Sequence, residues 1–199
     1  VGETMMMQRS RIEEAVTLLV DARRSGDLVD VLPVACQPAT ADDAHAIQDA
    51  TVERLGDSVH GWKIASAPDG AVIRGVLLRS RVYENPARIA AAQVPLLGVE
   101  AEITFRFARD LAPRDRAYDA AEVAAVVTAL VAIEVVDSRF QHYRETPLLH
   151  RLADCMSNGA FVQGTQQTRW REFDLAKLHV TLSIDGTTIT RGTGGQPTV

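Results

Sequence analysis

An α+β fold dominated by mixed sheet is the class this sequence predicts, and three observations carry it. Two segments near the N-terminus repeat apolar residues at helical spacing. After Gly61 the texture changes to short apolar runs broken by Gly and Pro, the pattern of strands. Near the C-terminus Asp185-Gly186 stands between two strand-like runs, and Asp-Gly favours the type I′ turn of a hairpin.

The first helix covers Ser10 to Ala22, where Ile12, Ala15, Val16, Leu19 and Ala22 fall near helical spacing and Gly26 is the stop signal. Pro33 to Pro38 is a connector. Thr40 is an N-cap candidate followed by an acidic first turn at Asp42 and Asp43. Ala44, Ile47, Ala50, Val52 and Leu55 then line a second amphipathic helix closed by Gly56. These helices define an N-terminal helical region, residues 1–58, ahead of a mixed-sheet domain, residues 59–199. Strands are expected over His60–Ala65, Val72–Leu78 and Val99–Phe107. An Ala/Val-rich helix is expected from Asp119 to Val131, running directly into a buried strand at residues 132–137. Phe161–Gly164 is a further strand, and Leu178–Ile184 and Thr187–Arg191 are the arms of the hairpin. The sequence holds no internal repeat and no low-complexity tract.

The bulk numbers narrow the function. A chain of 199 residues fits one domain, or one main domain with a small N-terminal attachment, and is long enough for a sizeable core. A net charge of -5 with scattered arginines argues against a nucleic-acid partner, whose phosphates need clustered Lys and Arg. No run of about 18 apolar residues is available to span a bilayer, and Val1–Gln8 is too short in apolar residues for a signal peptide. Cys36 and Cys155 match no metal or redox spacing and are expected to be reduced structural thiols of a cytoplasmic protein. The five histidines show no metal-ligand spacing. Serine-hydrolase, P-loop and Rossmann signatures are absent.

Four segments hold candidate chemistry. In Val99-Glu100-Ala101-Glu102-Ile103-Thr104-Phe105 the strand alternation puts Glu100, Glu102 and Thr104 on one face, the two carboxylates about 7 Å apart at the backbone. Such a pair is either a solvated acidic face or part of a cation site. Glu134 sits inside the apolar run Ala132–Val136, where an unpaired buried carboxylate would cost several kcal/mol. A buried ion pair with Arg139 and a metal-ligand role satisfy that requirement equally. Three carboxylates together, Glu100, Glu102 and Glu134, would suit Mg²⁺ or Mn²⁺ and leave open octahedral positions. Lys63 in Gly61-Trp62-Lys63-Ile64 is one of only two lysines against 19 arginines. It is either a surface residue beside a core Trp or a proton-transfer group, since Lys, unlike Arg, can lose its proton. The stretch Leu152-Ala153-Asp154-Cys155-Met156-Ser157-Asn158-Gly159-Ala160-Phe161-Val162 places small polar residues between apolar runs, as in a ligand-binding loop or a plain turn.

In order, G-W-K-I at 61–64, V-E-A-E-I-x-F at 99–105, I-E-V-V-D-S-R-F at 133–140 and L-A-D-x-x-S-N-G-x-F-V at 152–162 resemble the hydratase/decarboxylase branch of the fumarylacetoacetate-hydrolase-like superfamily. That branch includes 2-hydroxypenta-2,4-dienoate (2-oxopent-4-enoate) hydratases and 4-oxalocrotonate decarboxylases of aromatic meta-cleavage catabolism. The resemblance spans nearly the whole chain. It implies a mixed β-structure wrapped into a distorted barrel, with Glu100, Glu102 and Glu134 binding Mg²⁺ or Mn²⁺ and Lys63 as the lysine of the G-x-K motif. Asp137, Arg139, Asp154, Ser157 and Gly159 would lie around the substrate pocket. The implied substrate is a small 2-oxo or 2-hydroxy dienoic acid, hydrated to a 4-hydroxy-2-oxo acid by a homo-oligomer that associates with a decarboxylase partner.

Three departures qualify the resemblance. Ala65 and Cys155 replace the usual Gly and Asn. The sequence ends at Gly194-Gly195-Gln196-Pro197-Thr198-Val199, where relatives continue through a helix and closing strands, so the C-terminal strands are expected to be missing and open edges to invite a second chain. The rival readings are a 4-oxalocrotonate-type decarboxylase, with Arg139 or Arg144 taking a second carboxylate, and a non-catalytic truncated partner subunit. An acylpyruvate-type C–C hydrolase fits the Glu134 motif less well.

Overall fold

The computed structural model describes residues 7–194, so the readings of the first six residues and of the chain end beyond Gly194 lie outside the described residues. The chain forms two compact units. One combines the chain up to Glu100 with Ile133–Gln163, and the other combines Ala101–Ala132 with the chain from Gly164 onward.

In the first unit α1 (Arg9–Ser25) buries Ala15, Val16, Leu19, Val20 and Ala22, the stripe its spacing implied. It ends at Gly26, whose N–H bonds the Ala22 carbonyl at 3.0 Å. The second helix, α2 (Ala41–Leu55), opens with a reciprocal capping box. Thr40 Oγ1 accepts the Asp43 N–H at 3.1 Å, and the Asp43 carboxylate accepts the Thr40 N–H at 3.1 Å. Leu19, Leu32, Ile47, Phe140 and Leu152 share one core. Gln48 ties that core to its neighbours: its amide donates to the carbonyls of Arg74 and Leu152, and its oxygen accepts the Val76 N–H. Burying Gln48 is tolerated because each of its polar atoms is partnered.

Strands β1 (Val59–Ser66) and β2 (Val72–Leu78) pair antiparallel, with Lys63 opposite Gly75. A four-stranded sheet follows in the order β3–β6–β5–β4, built from β3 (Val82–Glu84), β4 (Gly98–Phe107), β5 (Val127–Val136) and β6 (Asn158–Gln167), with β3 parallel to β6. Strands β4, β5 and β6 run through both units. In the second unit β7 (His179–Ile184) and β8 (Thr187–Thr193) form the antiparallel hairpin, with positive φ at both Asp185 and Gly186 as a type I′ turn requires. Trp170 packs edge-on against Phe105 and donates its indole N–H to the Val127 carbonyl. The architecture is α+β, as expected. The described strands form three open sheets, and no closed barrel is present among the described residues.

Two local expectations need correction. The helix expected over Asp119–Val131 is only α3 (Ala120–Ala124), capped reciprocally by Asp119 and Glu122; strand takes over at Val127. The β-branched run Val126, Val127 and Thr128 favours strand over helix, and the Val126 carbonyl accepts the Ala108 N–H. Of the two readings offered for Lys63, the one with a core Trp beside a surface Lys fails: Trp62 is 57% exposed, while Lys63 is the half-buried one.

Candidate functional site

The alternation of β4 sends Glu100 and Glu102 to one face, as the strand period dictates. Glu134, on β5, is 1% exposed. One carboxylate oxygen from each of Glu100, Glu102 and Glu134 lies within 4.8 Å of the others. Into this cluster β1 delivers Lys63, whose Nζ stands 3.0 Å from Glu100 Oε2 and 2.8 Å from Glu134 Oε2. The other Glu134 oxygen, Oε1, accepts the Asn158 side-chain amide at 3.1 Å. Glu134 therefore pairs with Lys63, not with Arg139 as its place in the sequence had offered.

Electrostatics follow from burial. Desolvation lifts the Glu134 carboxyl above its ordinary range, an effect the Lys63 ammonium and the Asn158 amide oppose. Burial alone would lower Lys63, but the Glu134 and Glu100 carboxylates outweigh it and hold the ammonium above its ordinary value. The donor set fits a small hard cation. Oxygens around Mg²⁺ or Mn²⁺ at about 2.1 Å stand about 3 to 4.2 Å apart, close to the spread seen here, and Glu100 is exposed enough to adjust.

The remaining predicted residues gather around the turn leading into β6. Arg139 is 4% exposed. Its Nε reaches Asp154 Oδ1 at 2.6 Å, its backbone N–H reaches Asp154 Oδ2 at 3.1 Å, and Nη2 donates to the Asn158 carbonyl at 3.2 Å. Arg23 adds a second guanidinium to Asp154 at 2.9 Å. Asp137 accepts the Leu96 N–H at 3.3 Å and lies 3.5 Å from Arg139 Nη1. Ser157 is buried with its hydroxyl unpartnered. Gly159 packs so tightly that a Cβ would fall 2.5 Å from the Asp137 Cβ and 2.9 Å from the Val135 carbonyl. Two surface depressions, one beside Arg114 and Tyr118 and one beside His142 and Tyr143, do not include the carboxylates. Asn158 was overlooked in sequence. The signal was available, since a buried Glu134 demands partners and Asn158 is a polar residue in the motif that follows it.

No protein-family model matches the chain. In the solved structure of 4-oxalocrotonate decarboxylase from Pseudomonas putida G7, complexed with magnesium and adipate, 76% of that chain superposes on 96% of this one with a TM-score of 0.76 at 17% identity. The same enzyme complexed with calcium and acetate gives a TM-score of 0.73. At this identity the likeness shows the fold alone. Sequence relatives narrow it. A 2-keto-4-pentenoate hydratase of Paraburkholderia phymatum is 31% identical over 200 residues, 95% of this chain and 76% of the relative. A second, from Burkholderia vietnamiensis, is 29% identical with the same coverage, and the TodF product hydratase of Pseudomonas putida is 29% identical over 92% of this chain. The chain belongs to the hydratase/decarboxylase branch of the fumarylacetoacetate-hydrolase-like superfamily.

Proposed function

We propose that the protein is a divalent-metal-dependent hydro-lyase that adds water to a 2-hydroxy-2,4-dienoate, giving a 4-hydroxy-2-oxo acid. The observation that carries this reading is the convergence of Glu100, Glu102 and Glu134 oxygens within 4.8 Å, with Lys63 beside them. Its kinship with the hydratases supports the substrate class. Glu100, Glu102 and Glu134 would hold Mg²⁺ or Mn²⁺, which would supply Lewis-acid stabilisation of negative charge on the 2-oxygen of the substrate.

The chain's own residues do the rest. Lys63, half-buried between two carboxylates, handles the proton that leaves the enol oxygen and the proton delivered to C5, which together convert the dienol to a conjugated enone. Water then adds its hydroxyl at C4 and its proton at C3. Glu134, enclosed and ion-paired to Lys63, forms the inner wall of the site. Asp137, Arg139, Asp154, Ser157 and Gly159 shape the substrate pocket, those that are buried acting from behind its wall.

The decarboxylase alternative requires a cation for a second carboxylate. Arg139 is committed to Asp154 and Asn158, which leaves the exposed Arg144 and weakens that alternative. The hydratase reading also includes a helical region at residues 1–58 ahead of a sheet domain at 59–199, a distorted barrel completed at its open edges, and a cytoplasmic homo-oligomer able to associate with a decarboxylase. The test is Mn²⁺ binding by the purified chain against a Glu100→Ala/Glu102→Ala double variant, followed by loss of dienoate absorbance on adding Mn²⁺. Binding abolished in the double variant, with hydration by the wild type, is the expected result. A folded wild-type chain that binds no Mn²⁺ sinks the metalloenzyme reading, and binding without turnover leaves the non-catalytic partner.

A further inference from the structure

The geometry points to Asn158 as a positioning residue that holds Glu134 to one free oxygen and so makes the site favour small octahedral cations over Ca²⁺. This rests on the metal reading proposed above. The Asn158 amide is 3% exposed and donates to Glu134 Oε1, itself dry, at 3.1 Å. With Oε1 engaged by the amide, Oε2 is the oxygen that meets Lys63, at 2.8 Å. A carboxylate fixed this way ligates through one oxygen. Mg²⁺ and Mn²⁺ take that arrangement in near-ideal octahedra, whereas Ca²⁺ accepts six to eight oxygens and gains from two-oxygen carboxylate ligation.

Asn158 cannot drift to permit the second mode, because its backbone is clamped. Arg139 donates to the Asn158 carbonyl at 3.2 Å and is itself fixed by Asp154, while Arg81 Nε donates to the Gly159 carbonyl at 2.7 Å. Gly159 lies against Asp137 and Val135 with no room for a side chain. On the other side the chain enters through Cys155, Met156 and Ser157, all at positive φ. Three consecutive non-glycine residues in that region are costly and persist only where the surroundings dictate them. The buried Asp154–Arg139 pair thus reaches the cation site through a single amide.

Mn²⁺ affinity by paramagnetic resonance and Ca²⁺ affinity by displacement of Mn²⁺ are to be measured on the full chain for the wild type, Asn158→Ala and the near-isosteric Asn158→Leu. Outer-shell partners of metal ligands are worth about 10 to 100-fold in affinity. Mn²⁺ binding is expected to weaken by that factor in both variants, with Ca²⁺ binding changed far less, so the Mn²⁺/Ca²⁺ ratio drops about tenfold or more. An unchanged ratio in either folded variant overturns the inference while leaving the metal reading intact. Failure of both variants to fold overturns it too, by making the amide a structural bond. A wild-type chain without Mn²⁺ binding fails at the earlier step, and the two failures are told apart by the Glu100→Ala/Glu102→Ala control.

Discussion

Glu134 and Arg139 lie five residues apart in sequence, yet each belongs to a buried charge cluster of a different kind. Around Arg139 the charges are matched: two guanidiniums, Arg139 and Arg23, face two carboxylates, Asp154 and Asp137, and the Asp154 carboxylate accepts three hydrogen bonds from the two arginines. Around Glu134 the balance differs, since two carboxylates, Glu134 and Glu100, share the ammonium of Lys63. A matched buried cluster has its desolvation cost offset internally and gains nothing from an added ion. An unmatched one keeps a net attraction for a cation. The first is therefore framework, and the second is where the proposed function places a cation.

The largest expected effect tests the framework. Asp154→Ala leaves two enclosed guanidiniums without their shared carboxylate, and breaking a buried pair in this way costs about 3–5 kcal/mol. Against a typical total of about 5–15 kcal/mol, urea unfolding of the variant should shift far below the wild type. Glu134→Gln should cost less, because Lys63 keeps Glu100 and contact with water. It should instead remove Mn²⁺ binding. If Glu134→Gln proves the more destabilising of the two, the division into matched and unmatched clusters is wrong.

Lys63→Met sharpens the same division from the other side. Without the ammonium, Glu134 and Glu100 lose their internal counter-ion, so the metal-free variant should unfold at lower temperature than the wild type. Mn²⁺ at 100 times its Kd restores about 2.7 kcal/mol, and its affinity should rise because the ammonium no longer competes. Hydration should fall by about 10² to 10⁴, the usual contribution of a positioned proton-transfer group. A variant that binds Mn²⁺ more weakly than the wild type would show that Lys63 organises the carboxylates rather than competing for them.

Sequence made the local features legible and the long-range partners illegible. Strand β2, the N-cap at Thr40 and the Asp185-Gly186 hairpin depend on neighbouring residues and stood where expected. The shared face of Glu100 and Glu102 followed from strand period alone. The partner of Glu134 did not: Arg139 was near in sequence, but the cation that reaches it comes from a strand 71 positions earlier. Nothing in the spacing of a chain encodes which strands become neighbours in a sheet. The scarcity of lysine did single out Lys63. The Ala/Val run after Asp119 misled because alanine favours helix while the valines, once paired in a sheet, favour strand.

A third buried ionisable group extends the comparison to a case in which one ring nitrogen has no hydrogen-bond partner. His150, in the short helix α4 (Leu148–Ala153), is 4% exposed, its Nδ1 has no hydrogen-bond partner, and its ring lies 5.8 Å from that of Phe140. Burial pushes its pKa below the ordinary histidine value, so the folded protein keeps it neutral while the unfolded chain protonates near about pH 6.5. The stability this neutrality protects is full above that pH and is lost as pH falls through it, with a slope of at most about 1.4 kcal/mol per pH unit for one proton. His45, also lowered first by burial and then by Arg74, adds to the loss in the same window. The Tm should thus fall as pH drops below about 6.5, and His150→Leu should flatten the fall without abolishing it. An unchanged slope in His150→Leu would mean that the ring takes up its proton inside the fold. The unpartnered group would then belong with the unmatched carboxylates, as a place where an outside charge is admitted.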